Sequence, residues 1–182
     1  MAGIGRDVRL TTQRLVLRPT EAADAARFGE IQANWKVTRM LRLAPWPPDP
    51  MVMAEWVAGH ALEWAEGTGY RFAVELEGRV IGCVDLDQEP GTPGDLGYWL
   101  DEACWGRGYA SEAAVAVVGF GFGALGLPRL TAGHAADNPG SGRTLEKLGF
   151  REVAVGERWS GPRGETIPYR FLELIRPGVR NG

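Results

Sequence analysis

The stretch Trp105-Gly106-Arg107-Gly108-Tyr109-Ala110-Ser111-Glu112-Ala113 constrains this chain more than any other. Two glycines and an arginine stand directly ahead of an apolar run of helical character. Glycine allows a sharp turn and the close approach of a ligand. The first N–H groups of a helix have no partner inside it and stand at the positive end of its dipole. That combination binds phosphate. The chain must therefore fold with a short loop between a strand and a helix, and the loop is shaped for the pyrophosphate of a nucleotide-like cofactor.

The 182 residues fit a single domain spanning 1–182 with a real core. Hydrophobic residues make up 45% and charged residues 24%, which argues against disorder. A net charge of −3 supplies no general field for nucleic acid, although it leaves room for a local basic pocket. The two cysteines, Cys83 and Cys104, form no C-x-x-C pair, so neither a metal site nor a disulfide framework is expected. A reduced, cytoplasmic setting fits this usage. The first seven residues lack the apolar core of a signal peptide, and no uncharged stretch is long enough to span a membrane. Nothing in the composition argues against a homodimer.

Periodicity gives the order of elements. Leu15–Arg18 is a short β run stopped by Pro19. Thr20 reads as the N-cap of a helix running through about Gln32, with Glu21 and Asp24 in its first turn. Asn34 to Pro50 is rich in Trp, Pro and Arg and has no period; it is expected to pack over a site. Asp49-Pro50 opens a second helix, on which Val57, Ala61 and Trp64, with His60 beside them, share a face. Tyr70–Leu76 and Val80–Leu86 form a hairpin, and Asp95–Asp101 is a third strand. A helix from about Ala110 to Leu125 follows, then a strand at Leu130–Ala135. Asn138 starts a helix ending at Gly149, and Arg151–Trp159 and Thr166–Ile175 close the chain as strands. The order is β-α-α-β-β-β-α-β-α-β-β. The helix between Asp95–Asp101 and Leu130–Ala135 makes those two strands parallel in an otherwise mostly antiparallel sheet.

Gly121-Phe122-Gly123-Ala124-Leu125-Gly126 spells a dinucleotide fingerprint, but its context is wrong. Such a motif must lead into a helix. Here Pro128 and a β-like run follow, so the glycines read as the fraying end of the helix from Ala110.

Two segments together resemble the GNAT superfamily of acyl-CoA-dependent N-acyltransferases. Gly97-Tyr98-Trp99-Leu100 followed by Trp105 to Ala113 is similar to its pyrophosphate-binding strand, loop and helix, whose pattern is Q/R-x-x-G-x-G/A. Arg107 to Ala110 match, while Trp105 stands where Gln or Arg is usual. Asn138-Pro139-Gly140-Ser141-Gly142-Arg143-Thr144-Leu145-Glu146-Lys147-Leu148-Gly149-Phe150 matches the N-x-x-S-x-x-x-L-E-K-L-G-F signature of the RimJ/RimL-like, ribosomal-protein-type branch. The opening Gln13-Arg14-Leu15-Val16-Leu17-Arg18-Pro19 and the element order agree with it, so the resemblance covers nearly the whole chain.

The resemblance implies an α+β fold: a central mixed, mostly antiparallel sheet of about seven strands, two of them parallel and splayed, with helices on both faces. It implies acetyl-CoA as co-substrate, no metal, and direct attack on the thioester by a primary amine of a protein N-terminus or a small molecule. A CoA-binding sensor without catalysis is the competing reading. The backbone of Arg107, Gly108, Tyr109 and Ala110, with Trp105, Gly106 and Ser111 around it, would hold the pyrophosphate. Trp99 and Leu100 would pair with the pantetheine amides, and Asn138 and Ser141 would lie near the thioester. Asn138 reads both as an N-cap and as a cofactor contact. Ser141 is the candidate donor to the CoA sulfur, because Leu145 occupies the position where many relatives have a tyrosine; water is the alternative. Asp95 and His134 are candidate bases, with Glu89, Asp87 and Asp85 near the same strand ends. Trp35 and Trp46 are candidate acceptor-pocket residues, together with the Ser160–Gly164 loop. Trp56 and Trp64 read as core. Arg39 and Arg42 read either as contacts to an acidic acceptor or as plain surface charges.

Overall fold

A computed structural model describes residues 4–89 and 91–178. The first three residues, part of the segment read above for a leader peptide, lie outside the described residues. The strands are β1 (Leu10–Thr11), β2 (Leu15–Pro19), β3 (Gly69–Leu76), β4 (Arg79–Asp87), β5 (Gly94–Leu100), β6 (Arg129–Ala135), β7 (Arg151–Ser160) and β8 (Glu165–Ile175). The helices are α1 (Asp24–Gln32), α2 (Trp35–Thr38), α3 (Pro50–Glu66), α4 (Tyr109–Gly123) and α5 (Pro139–Lys147). The strands form one sheet in the order β1-β2-β3-β4-β5-β6-β8-β7. Only β5 and β6 pair in parallel among the described residues. The strand beyond the expected seven is β1, a two-residue bridge too short to show a period.

Helices cover both faces. On one, Phe28 of α1 and Met53 and Val57 of α3 pack against Ala73, Cys83 and Trp99 of the sheet. On the other, Ala113, Ala114 and Val117 of α4 and Leu145 of α5 bury Leu86, Leu96, Leu100 and Leu130. Trp64 turns from the last part of α3 into that second core, against Tyr70, Phe72 and Phe120. Trp64 is core as read, while Trp56 is half-buried and packs on Phe28 and His60 at the edge of the first core. The buried stripe of α3 is Met53, Val57, His60 and Trp64; Ala61 faces solvent. Gly121, from the false fingerprint, lies inside α4 where it touches the sheet. A Cβ there would stand 3.0 Å from Leu86.

Three helix starts show how local chemistry sets the elements. Asp49 accepts from the N–H of Met51 and of Val52 ahead of Pro50. Asn138 accepts from Ser141 N at 3.2 Å ahead of Pro139. The third start differs from expectation. Helix α1 begins at Asp24, and Thr20 is fully buried, with its hydroxyl 2.8 Å from His60 Nδ1. The competing partner is tertiary, and Asp24 instead takes the Glu21 N–H at 2.7 Å. Among the described residues no helix is long and apolar enough to cross a membrane.

Candidate active site

Strands β5 and β6 pair only at Gly94↔Leu130, Asp95↔Thr131 and Leu96↔Ala132. Beyond that they part, although β5 stays paired with β4 through Leu100 and β6 with β8 through Ala135. A gap with unpaired backbone opens in the middle of the sheet, and a cavity of about 440 Å³ occupies it. Its walls include Leu96 to Leu100, the loop and first turn of α4, Gly133, His134, Asn138 and Ser141.

The backbone on the β5 side differs from expectation. Asp101 N donates to Ile81 O, and residues opposite one another in an antiparallel ladder alternate between bonded and non-bonded pairs. Trp99 therefore turns its N–H and C=O toward Cys83, and its ring packs on Phe28 at 4.9 Å. Tyr98 and Leu100 present their backbone to the gap. The Leu100 carbonyl is already taken, because it accepts from the Trp105 indole at 2.9 Å. Trp105, in the place of Gln or Arg, thus ties the loop back to the end of β5.

The loop turns through Gly106 at φ 74° and Gly108 at φ 82°, left-handed conformations open to glycine at little cost. The first bond of α4 runs from Glu112 N to Gly108 O, which leaves the N–H groups of Tyr109, Ala110 and Ser111 without an acceptor one turn back. A distant clamp holds this cradle. Glu112 accepts from Thr12 Oγ1 at 2.6 Å, from Arg14 N at 2.8 Å and from Arg14 Nε at 2.7 Å. Arg14 also donates to Arg107 O at 3.0 Å, and its guanidinium carbon lies 4.4 Å from the Tyr109 ring centre. Burial disfavours the Glu112 charge, but the bonds from Thr12 and Arg14 outweigh it and hold the carboxyl below its ordinary range. The Arg107 side chain does not line the cavity.

Helix α5 forms the opposite wall. Asn138, Ser141, Thr144 and Lys147 lie along one side of it, with Arg143 beside them. The basic pair had a signal in the sequence: Arg143 and Lys147 are one turn apart on a helix whose start, Asn138, was legible. Tyr98 had none. Its hydroxyl meets Ser141 Oγ at 2.8 Å. Burial pushes the phenol up to about 12 against the pull of its bonds to Ser141 and Thr144, so it stays protonated. His134 is 7% exposed; Nδ1 donates to Ala135 O at 2.8 Å. Its Nε2 stands 3.0 Å from where a Cβ on Gly142 would be. The ring is a wedge between β6 and α5, and Gly142 makes room for it.

The far side of the cavity is built differently. Val37, Met40 and Leu41 close the cavity there. Arg39 and Arg163 both bind Asp137, at 2.5 Å and 3.0 Å, and Arg163 Nε donates to Arg39 O at 2.8 Å. Gly161 N donates to Arg42 O at 2.8 Å. These contacts latch the segment after α2 to the β7–β8 hairpin. The Arg163 bonds, with Arg39 adding to them, hold the Asp137 carboxyl below its usual range. Trp35 and Trp46, expected in the pocket, stack on each other with ring centres 4.8 Å apart outside the cavity wall. Asp95 also lies outside it. Asp95 is exposed on the closed part of the β5–β6 pair, accepting from Thr131 at 2.8 Å. It is three residues, about 10 Å along the strand, from Tyr98. Asp85 is nearer: it faces Gly97 across β4–β5, with Oδ1 2.8 Å from where a Gly97 Cβ would stand. Burial pushes Asp85 up to about 7 against the pull of Arg71, which donates to it at 2.8 Å.

Comparison with known proteins agrees with this architecture. The uncharacterized N-acetyltransferase p20 of Bacillus licheniformis is 28% identical over 174 residues, covering 92% of this chain and 96% of that protein. YoaA of Bacillus subtilis, an uncharacterized N-acetyltransferase, is 28% identical over 92% of this chain and 97% of its own. RimL, a ribosomal L7/L12 alpha-N-protein acetyltransferase solved with coenzyme A, superposes with a TM-score of 0.81 at 18% identity, over 92% of this chain and 98% of RimL. Mycobacterium smegmatis RimJ, in complex with CoA-disulfide, superposes with a TM-score of 0.79 at 22% identity, over 92% of this chain and 84% of that one. Residues 14–151, from the Arg14 clamp through the gap to the end of α5, match the acetyltransferase (GNAT) domain, and the chain belongs to that family of N-acetyltransferases.

Proposed function

We propose that this protein moves an acetyl group from acetyl-CoA to a primary amine by direct attack on the thioester. The observation that carries this is the gap between β5 and β6, which runs from the unpaired N–H groups of α4 to Ser141. Three features suit coenzyme A: an anion cradle at the start of α4, the cations Arg143 and Lys147 beside it, and strand backbone at Tyr98 and Leu100 facing a slot. Bound there, acetyl-CoA supplies the activated acyl group. Tyr109, Ala110 and Ser111 would donate backbone N–H to its pyrophosphate. Ser141 would donate to the sulfur.

The acceptor amine must lose a proton before it attacks. An α-amine has a pKa of about 8, against about 10.4 for lysine, so a protein N-terminus needs the weaker base. RimL, a ribosomal L7/L12 alpha-N-protein acetyltransferase, favours the same acceptor class. Asp85 faces the cavity-lining Gly97 across β4–β5, and its raised pKa suits a proton acceptor near neutrality. The decisive experiment is thiol release from acetyl-CoA with a panel of N-terminal peptides and small amines, alongside a thermal shift with acetyl-CoA alone. Turnover with a peptide N-terminus supports the reading. A thermal shift with a silent panel turns the protein into a CoA-binding sensor. No shift at millimolar acetyl-CoA overturns both.

A further inference from the structure

Two hydroxyls meet at the mouth of the gap. Tyr98 Oη lies 2.8 Å from Ser141 Oγ and 3.1 Å from the Ser141 carbonyl oxygen. The phenol comes from β5, two residues past the last one paired with β6, and the serine from the first turn of α5. Both line the cavity. Between them they hold two protons. In one arrangement, Tyr98 gives its proton to the Ser141 carbonyl and Ser141 gives its own to the phenol oxygen. With a sulfur anion in the cavity, Tyr98 gives to Ser141 Oγ and Ser141 gives to sulfur. Both protons are donated in each arrangement, so neither leaves a buried donor unpaired.

We propose that Tyr98 is a positioning residue for Ser141, whose phenol donates to Oγ and turns the serine proton toward the sulfur of departing coenzyme A. This rests on the acetyl-transfer reading. As the nitrogen–carbon bond forms, the carbon–sulfur bond breaks and its electron pair stays on sulfur. The two hydroxyls stabilise that charge as hydrogen-bond donors and keep their protons. A thiol has a pKa of about 8.5 and this phenol one of about 12, so full transfer from phenol to sulfur would run uphill by roughly three orders of magnitude. Coenzyme A therefore leaves as the thiolate, the acylated nitrogen gives up its extra proton to solvent water, and the thiolate takes a proton back from that water.

The test needs no acceptor. The thiol of coenzyme A bound to the protein is titrated by the ultraviolet absorbance of its thiolate. The wild-type complex should hold that thiol at a lower pKa than free coenzyme A. Tyr98→Phe and Ser141→Ala should each raise it by about 0.5 to 1, and the double variant should go no further than Ser141→Ala alone. With an acceptor in hand, Tyr98→Phe should lower kcat about tenfold and leave KM for acetyl-CoA within about twofold. Ser141→Ala breaks the same link without touching the phenol, which covers the case of a poorly folded Tyr98→Phe. A bound thiol indifferent to Tyr98→Phe, or a double variant that sums the two single effects, overturns the inference. Failure of the wild type to bind coenzyme A would instead remove the acetyl-transfer reading itself.

Discussion

The two halves of the cavity are held by different forces. On the cofactor half, the decisive groups are backbone: left-handed glycines, unpaired N–H groups at the start of α4, and strand edges facing a gap. Side chains such as Arg14 and Glu112 support them from behind. On the acceptor half, the wall of Val37, Met40 and Leu41 is held by long side chains converging on Asp137. Backbone geometry of this kind suits what every acyl-CoA has in common. A latch of exposed ion pairs is weaker and easily re-cut, which suits the side that must match a particular amine. The halves should therefore respond separately to substitution.

The largest separation is expected at Gly108. A valine there would have to adopt φ near 82°, a conformation hostile to β-branched residues, and would place methyl groups at the phosphate cradle. Gly108→Val should weaken acetyl-CoA binding about 100-fold or more and abolish the thermal shift. Gly119→Ala, further along α4 where a Cβ meets nothing within 4 Å, is the control that keeps the shift. Equal shifts in the two variants would mean that the cradle is not where the ligand sits.

Acid should act on neither half first but on the fold beside them, through His60. This buried α3 ring meets Thr20 just past β2, and burial, with Arg71 and Arg6 adding to it, lowers it to about 3. The unfolded chain takes up a proton near the ordinary pKa of about 6.5 that the folded chain refuses. Stability is thus intact above that value and is lost as pH falls toward the folded value. The loss at about pH 5 should be about 2 kcal/mol relative to neutrality. His60→Gln should flatten the dependence of melting temperature on pH between about 7 and 5, whatever it does to stability at neutrality. An unchanged slope would assign the acid sensitivity elsewhere.

A smaller effect is expected from the clamp behind the cradle. Arg14→Ala removes the side-chain bonds to Glu112 and Arg107 O and leaves the Glu112 carboxylate, still held by Thr12 and the residue-14 N–H, without its countercharge in the first turn of α4, beside the proposed phosphate cradle. Acetyl-CoA affinity should fall about tenfold, and adding Glu112→Gln should restore part of it. Calorimetric titration of the single and double variants decides the matter. If Glu112→Gln deepens the loss, the clamp acts through loop order rather than through charge.

The same division explains what could be read in the sequence. The glycine loop, the Asp49 and Asn138 caps and the alternation of β3 to β6 are local, so residue order is enough to place them. The Tyr98–Ser141 contact joins residues 43 positions apart. Alternation alone puts Tyr98 on the face of Leu96 and Leu100, indistinguishable from core, and only the seating of α5 reveals it. Thr20 has the sequence of a cap, but His60, 40 residues away, claims its hydroxyl. Trp35 and Trp46 lie off the cavity wall: composition marks a tryptophan as a residue that will find apolar contact without saying with what, and these two meet each other. The Asp137 latch left no pattern at all, since its arginines come from two loops without a period.

That latch offers the finest test of the comparison. Asp137→Asn keeps the shape of the side chain and removes the charge that gathers Arg39 and Arg163. The Asp137 side chain is 47% exposed, so each ion pair contributes well under about 1 kcal/mol, and the change should raise the acceptor KM about three- to fivefold. About 1 M salt should reproduce much of that rise in the wild type, because exposed charges are screened. The arginines hold the Asp137 carboxyl below its ordinary range, so its contribution is present above the unfolded value of about 3.9 and is lost only below it. The latch should therefore be indifferent to pH from about 5 to 9. Acetyl-CoA affinity should not change in Asp137→Asn. If it falls together with acceptor affinity, Asp137 is acting through its neighbour Asn138 on α5, and the two halves of the cavity are one cooperative unit rather than two.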